Sequence, residues 1–294
     1  MVQEIRVGAH AKINLYLDVV GKREDGYHNL ETIFHSIELH DDVILRKQRA
    51  KGITVYCEHP GVPRDSRNLA YRAANLLSDS VGGVDGIGIE IHKRIPVAAG
   101  LAGGSANAAA VLHGVNELFA LGLTQENLMQ LGAQLGADVP FCLHGGAALG
   151  LGIGDQLTRL PALSDVPLLL LNPGIEISTA TVFKKLNFSL TTREKRGIII
   201  KACLEKGDLA GIGRNLYNLL EVPVFSEYPE IAVLKTELST QTEVCGALMS
   251  GSGATVFAVM QNGGAARRCA SYFKDKVSFC TTTVTSPVGV SVYE

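Results

Sequence analysis

The chain has 294 residues, 46% of them hydrophobic and 19% charged, with 27 Lys and Arg against 29 Asp and Glu for a formal charge of −2. That length suffices for two domains with substantial cores, and the composition excludes extensive disorder. No block of like charges occurs, so neither nucleic acid nor an anionic membrane is expected as a partner through a general basic surface.

Residues Met1 to Arg6 lack a basic region followed by an apolar core, so no secretory signal is expected. Residues 11–19 alternate strictly: Ala11, Ile13, Leu15, Leu17 and Val19 take one face of a strand, and Lys12, Asn14, Tyr16 and Asp18 the other. A turn follows at Gly21 to Gly26, where Asp25-Gly26 is a strong turn pair. Residues 31–39 and 53–57 read as strands, and Asn68 to Leu77 as a helix ending before Gly82 and Gly83. The alternating strand Ile87, Ile89, Ile91 then runs into a long small-residue stretch, Ile95 to Asn107. That stretch opens an alanine-rich helix with Val111, Leu112, Val115, Leu118 and Phe119 as its apolar positions.

Thr124 caps a helix carrying Leu128, Leu131 and Leu135, which stops at Gly136. Gly145 to Gly154 close the first half as a glycine-rich strand and turn. Pro161 and Pro167 bracket a polar connection, which sets the expected domains at 1–162 and 163–294. Beyond it come a strand at Leu168–Leu171 and helices near 179–186, 191–206 and 227–238. A strand pair near 244–260, a helix at 264–274 and a strand near 280–285 finish the chain. Each half reads as α+β. The longest apolar runs, such as Val166 to Leu171, are too short to span a bilayer. Six scattered cysteines without a CxxC pair read as small buried hydrophobes of a reducing compartment, so the expected location is the cytoplasm. The eight histidines show no HxH or HExxH spacing, and no structural metal site is expected.

A small-residue turn between a strand and a helix exposes backbone N–H groups and aims a helix N-terminus at whatever sits there. Pro96, Val97, Ala98, Ala99, Gly100, Leu101, Ala102, Gly103, Gly104, Ser105 and Ala106 therefore read as a phosphate cradle. The competing reading is a turn made small only for close packing. Neither G-x-x-x-x-G-K-[ST] nor G-x-G-x-x-G occurs, so a phosphate site must be of another kind. Taken singly, Lys12 is better read as a solvated lysine on an exposed sheet face, and Asp138 as the N-cap of a short turn starting near Pro140. Tyr27 and His28 offer a ring and a polar edge just past the Asp-Gly turn, or simply a half-exposed aromatic closing a hairpin. Phe183 is by default the apolar face of a short helix. Ser250 to Ala254 form a second small-residue turn, as consistent with packing as with a ligand.

Together and in this order, Ala11–Leu15, Gly21–His28, Ile95–Asn107, Gly136–Phe141 and Met249–Ala254 resemble the signature segments of the GHMP kinase superfamily. The Asp-Gly-Tyr-His turn and the Ala-Lys-Ile-Asn strand narrow the likeness to its 4-diphosphocytidyl-2-C-methyl-D-erythritol kinases. The likeness runs from about residue 8 to about residue 260. It implies a two-domain α+β fold, with an N-terminal ribosomal-protein-S5-like α/β domain and a C-terminal ferredoxin-like α+β domain. It also implies ATP, used as its Mg2+ complex, a small-molecule cytidine diphosphate substrate, and a monomer or weak homodimer. Lys12 and Asp138 match the family's catalytic pair, and Pro96 to Ala106 its ATP loop. Tyr27, His28 and Phe183 match residues that hold the cytidine base, which would lie between the Tyr27 and Phe183 rings. Asn14 and Thr179 match polar contacts on the substrate side. In the implied reaction Asp138 takes the proton of the accepting 2-hydroxyl, and Lys12 favours the ionised carboxylate and offsets phosphoryl charge. No dedicated protein ligand for Mg2+ stands out.

Another GHMP kinase, of homoserine or mevalonate type, and a silent nucleotide-binding module are the alternatives. The chain departs from the family where Ala98, Ala99, Ala102 and Ala106 stand in a loop commonly richer in glycine and serine, and where Leu219 replaces a frequent Asp. Alanine keeps its N–H but tolerates positive φ poorly, and position 106 has no hydroxyl.

Overall fold

A computed structural model describes residues 3–186 and 196–293. The expected helix over 191–206 is seen as Arg196–Lys206; residues 191–195 lie outside the described residues. Strands β1 (Glu4–Lys22) and β2 (His28–Lys47) form a long antiparallel hairpin across the Asp25-Gly26 turn. There follow β3 (Ile53–Cys57), α1 (Leu69–Ser80), β4 (Ile87–His92) and α2 (Gly103–Phe119). Next are α3 (Gln125–Leu135), α4 (Val139–His144), β5 (Ala147–Leu151) and β6 (Gln156–Leu160). The second half holds β7 (Pro167–Asn172), α5 (Thr179–Lys184), α6 (Arg196–Lys206), α7 (Leu209–Asn215) and β8 (Tyr217–Asn218). It ends with α8 (Glu221–Glu227), α9 (Pro229–Ser239), β9 (Val244–Met249), β10 (Val256–Met260), α10 (Gly263–Phe273), β11 (Phe279–Val284) and β12 (Val290–Tyr293).

Two sheets result. The first has eight strands, with the path β12-β1-β2-β4-β3; β5 pairs with β2 and β6, and β8 pairs with β1. The second is β11-β7-β10-β9, antiparallel throughout. The late strands β8 and β12 return to the first sheet, an exchange that no local pattern in two such short segments announces.

Helix α2 lies on the first sheet, with Val111, Leu112 and Val115 fully buried. Each such side chain contributes about 1.5–3 kcal/mol of burial. Its small residues let it sit close: a Cβ on Gly114 would come within 2.4 Å of Leu45 Cδ1. In β7, Leu168 and Leu170 face the first core while Leu169 and Leu171 face the second, with α10's Phe273 and α9's Leu238. That run of leucines is the apolar layer binding the two sheets.

The alternation expected over 11–19 is broken. Bulges between His10 and Lys12 and between Asn14 and Tyr16 shift the register against β2. Tyr16 enters the first core beside Leu15, and Leu17 and Val19 enter the second. The polar side is not solvated either: Lys12 is 4% exposed and Asn14 1%. Asn14, Phe34 and Asp138 enclose the Lys12 ammonium, and the bland reading of Lys12 falls with that burial.

Candidate active site

A cleft of about 1060 Å³ opens between the two sheets. Its walls include Lys12, Asn14, Thr32 and Phe34 of the hairpin, the loop before α2, Asp138 at the start of α4, Thr179 and Phe183 of α5, and Gly251 with Ser252.

The floor is a hydrogen-bonded chain built on β1. Lys12 Nζ donates to Asn14 Oδ1 at 2.8 Å, Asn14 Nδ2 donates to Thr32 Oγ1 at 2.8 Å, and Thr32 Oγ1 donates to the Tyr16 carbonyl at 2.7 Å. Below the ammonium lies the Phe34 ring, 5.3 Å from Nζ to centroid, itself stacked on Phe141. One side of Lys12 is thus fixed by Asn14 and one by an aromatic face. The remaining side meets Asp138, whose Oδ2 is 3.7 Å from Nζ. Asp138 does occupy the N-cap position of α4, with Pro140 in the first turn, but its side chain makes no capping bond. The carboxylate is therefore available to the cleft, where it is 35% exposed against 5% for the lysine side chain.

The loop from Pro96 to α2 forms the opposite wall. Ala98 (φ 52°) and Ala102 (φ 57°) both take the left-handed conformation that alanine resists. Ala102 is the N-cap of α2, offers no side-chain acceptor, and no acidic residue stands in the first turn. Gly103, Gly104 and Ser105 of that turn line the cleft, and a helix N-terminus with no acid of its own in the first turn suits a phosphate. Leu101 and Ala106 are the exceptions among the loop residues: both are buried in the first core and do not line the cleft. Their part is main chain and packing, and the Leu101 carbonyl accepts from Lys12 N at 3.2 Å.

The second small-residue turn serves both roles left open by its sequence. Ser250 Oγ donates to the Gly100 carbonyl at 3.0 Å, so it packs on the loop, while Gly251 and Ser252 line the cleft. Ser252 Oγ lies 2.8 Å from Thr179 Oγ1. Sequence reasoning missed what holds this turn: Asn218 Nδ2 donates to the carbonyls of Met249 (2.8 Å) and Gly251 (2.7 Å), and Glu221 accepts from Met249 N at 2.9 Å. Burial raises the Glu221 carboxyl above its usual range, countered by Lys235.

At the far end, His28 stacks on Phe183, centroids 5.3 Å apart and rings 21° from parallel, while Tyr27 is 61% exposed. The Phe183 face on which the cytidine base is expected is thus covered by the His28 ring. Burial, with Lys22 nearby, lowers the His28 pKa and favours the neutral ring, which has one donor and one acceptor.

As for metals, His10, Glu38 and His40 bring ligand atoms within 4.8 Å of one another outside the cleft. Their ring nitrogens are already engaged: His10 with the Ile37 carbonyl (3.1 Å) and Ser291 Oγ (2.9 Å), and His40 Nδ1 with the Glu38 carbonyl (2.7 Å).

A Lys–Asp pair facing a helix N-terminus across an interdomain cleft, on this α+β frame, defines a GHMP kinase. Residues 68–146 match the family described as GHMP kinases N terminal domain, and residues 199–278 match GHMP kinases C terminal. The chain belongs to the 4-diphosphocytidyl-2-C-methyl-D-erythritol kinases, being 47% identical to that kinase of Acetivibrio thermocellus over 89% of this chain and 92% of the relative. It is 40% identical to the kinase of Trichormus variabilis over 96% of each chain. A crystal structure of 4-(cytidine 5'-diphospho)-2C-methyl-D-erythritol kinase superposes with a TM-score of 0.82 at 32% identity, covering 96% of this chain and all of that one. Mevalonate kinase of L. major shares the fold at a TM-score of 0.72 and 19% identity.

Proposed function

We propose that Lys12 and Asp138 are the catalytic pair, and Pro96 to Ala106 the ATP loop, of an enzyme that phosphorylates the 2-hydroxyl of 4-diphosphocytidyl-2-C-methyl-D-erythritol. The chain is an ATP-dependent small-molecule kinase of isoprenoid precursor biosynthesis, as its family membership establishes. One observation carries the site assignment: Lys12 Nζ stands 3.7 Å from Asp138 Oδ2 in the cleft that the uncapped α2 N-terminus also faces.

Phosphoryl transfer depends on positioning and charge stabilisation more than on covalent chemistry by the protein. Asp138 accepts the proton of the attacking hydroxyl. Lys12, held by Asn14 and unable to retreat into Phe34, stabilises the carboxylate and the charge on the moving phosphoryl group. The α2 amides receive the terminal phosphates. His28, Tyr27 and Phe183 hold the cytosine ring, with His28 leaving the Phe183 face as the base arrives, and Asn14 and Thr179 contact the sugar-alcohol side. Mg2+ would be held mainly by ATP oxygens, with Ser105 and Asp138 as hard oxygen donors lining the cleft, and it would supply charge compensation for the phosphates.

We divide the chain into domains 1–162 and 163–294, both contributing to the cleft, and assign it to the cytoplasm, a reading supported by its free cysteines. Among the described residues no helix is long and apolar enough to cross a membrane. The working unit we assign is a monomer or weak homodimer. The test is ADP release with the cytidine substrate, homoserine and mevalonate, for the wild type and Asp138→Asn. Turnover confined to the cytidine substrate and lost in the variant is expected; turnover retained by Asp138→Asn would remove the catalytic assignment.

A further inference from the structure

The phosphate loop is tied at both ends to one buried side chain. Asp41, on β2, is fully inaccessible and does not line the cleft. Its Oδ1 accepts from the backbone N–H groups of Arg94 (2.7 Å) and Ile95 (2.8 Å), the residues that lead into Pro96. Its Oδ2 accepts from Asn107 Nδ2 at 2.8 Å, in the second turn of α2, and from Lys93 Nζ. Lys93 in turn reaches the cleft beside the first residue of α2, where a Cβ on Gly103 would lie 3.0 Å from its Nζ. One carboxylate therefore sets the entering strand end, the leaving helix and the lysine that faces them.

We propose that Asp41 is a positioning residue for ATP, acting through Lys93, Ile95 and Asn107 to hold the loop and the α2 N-terminus in their phosphate-receiving geometry. The proposal rests on the reading that this loop receives the ATP phosphates. A carboxylate is needed because all four partners are donors. An amide there sets an NH2 group against a backbone N–H pair or an ammonium, although the shape is unchanged. The loop itself carries Ala98 and Ala102 at positive φ, so it does not hold this geometry by local preference.

The experiment is steady-state kinetics of Asp41→Asn, Asn107→Ala and Gly104→Asp, each checked for cooperative thermal unfolding. For Asp41→Asn the KM for ATP should rise about ten- to a hundredfold, the scale for misplacing a bound group by an ångström. The KM for the cytidine substrate should stay within about twofold, a split that a merely structural role would not produce. Asn107→Ala removes one of the four donors and should move the ATP KM the same way by a smaller factor. Should Asp41→Asn fail to fold, Asn107→Ala decides alone. An ATP KM within about twofold of wild type in every folded variant of this pair overturns the proposal. Gly104→Asp tests the underlying reading separately: an acid in the first turn favours the helix but repels phosphate, so ATP binding should fall while the fold holds. If Gly104→Asp leaves ATP binding unchanged, the phosphate loop itself has been misassigned.

Discussion

Lys12 Nζ and Asp138 Oδ2 stand 3.7 Å apart, a longer approach than the 2.8 Å from the same ammonium to Asn14 Oδ1. The lysine is thus anchored on its own strand and only faces the carboxylate, leaving room for a hydroxyl at Asp138. Asp138→Asn should lower kcat by about 10²- to 10⁴-fold, the range for a lost general base, with ATP affinity little changed. Lys12→Met should also lower kcat, because the transferring charge loses its fixed cation. A coupled ADP assay measures both, and an unchanged kcat in Asp138→Asn would end its role as base.

Gly100, in the loop before α2, touches the turn at Ser250. Its φ is +76°, and a Cβ there would lie 2.1 Å from the Ser250 carbonyl oxygen, in backbone that cannot turn aside. Gly100→Ala should cost about 1–3 kcal/mol from overpacking and the left-handed strain together. Thermal unfolding is the measurement, and a melting temperature equal to that of the wild type contradicts the contact.

The alanines of the phosphate loop allow a test by sign. Ala102 sits at φ 57°, where an L-residue loses roughly 1–2 kcal/mol relative to the right-handed helix, whereas glycine recovers this at an entropy loss of about 0.5–1 kcal/mol. Ala102→Gly should therefore be neutral to stabilising by up to ~1 kcal/mol. Ala106 is fully buried within α2, and Ala106→Gly should destabilise by about 1 kcal/mol. Urea unfolding of the two variants with opposite signs supports this; equal losses would contradict it.

Phe183 is already stacked with His28, while Tyr27 stands exposed at the cleft. If base stacking carries substrate recognition, Phe183→Ala and Tyr27→Ala should each weaken the cytidine substrate by about 1–3 kcal/mol. ATP affinity should not move. Calorimetry giving wild-type substrate affinity for both variants would remove the rings from recognition.

The fold and the site were legible to different depths, for physical reasons. Helix α3 was readable from local chemistry alone: Thr124 forms a full capping box with Asn127, and Gly136 ends the helix. The paired leucines of β7 announced a strand buried on both faces. Lys12 and Asp138 were ambiguous singly, because a polar strand face and an Asp before a short helix each have ordinary readings. What separates the readings is tertiary: burial of the lysine against Phe34 and Asp138, and a cap position whose side chain makes no cap. Asp41, Asn218 and Glu221 bond mainly to backbone or donors distant in sequence, which no periodicity encodes. Asp41 and Asp42 lie beyond the strand read at 31–39, and only the structure carries β2 through this acidic pair to Lys47.

His35 links the hairpin to the connection between the two halves and should make the fold acid-sensitive. The side chain is fully buried, with Nδ1 donating to the Ser36 carbonyl at 2.8 Å and Nε2 accepting from Leu163 N at 3.0 Å. Burial drives its pKa down to about 4, so the native state keeps the ring neutral where an unfolded chain, near 6.5, would charge it. The unfolded state thus binds more protons below pH ~6.5, and the stability His35 contributes is complete above that value and lost as pH falls toward about 4. Between pH 7 and 5 the loss amounts to about 2 kcal/mol. His10 and His113 shift in the same direction through burial, so part of the acid limb persists without His35. His35→Gln, which retains an acceptor for Leu163 N, should flatten the decline over this window. Urea unfolding of both proteins at pH 7 and 5 measures it, and equal declines would show that His35 stays uncoupled from folding.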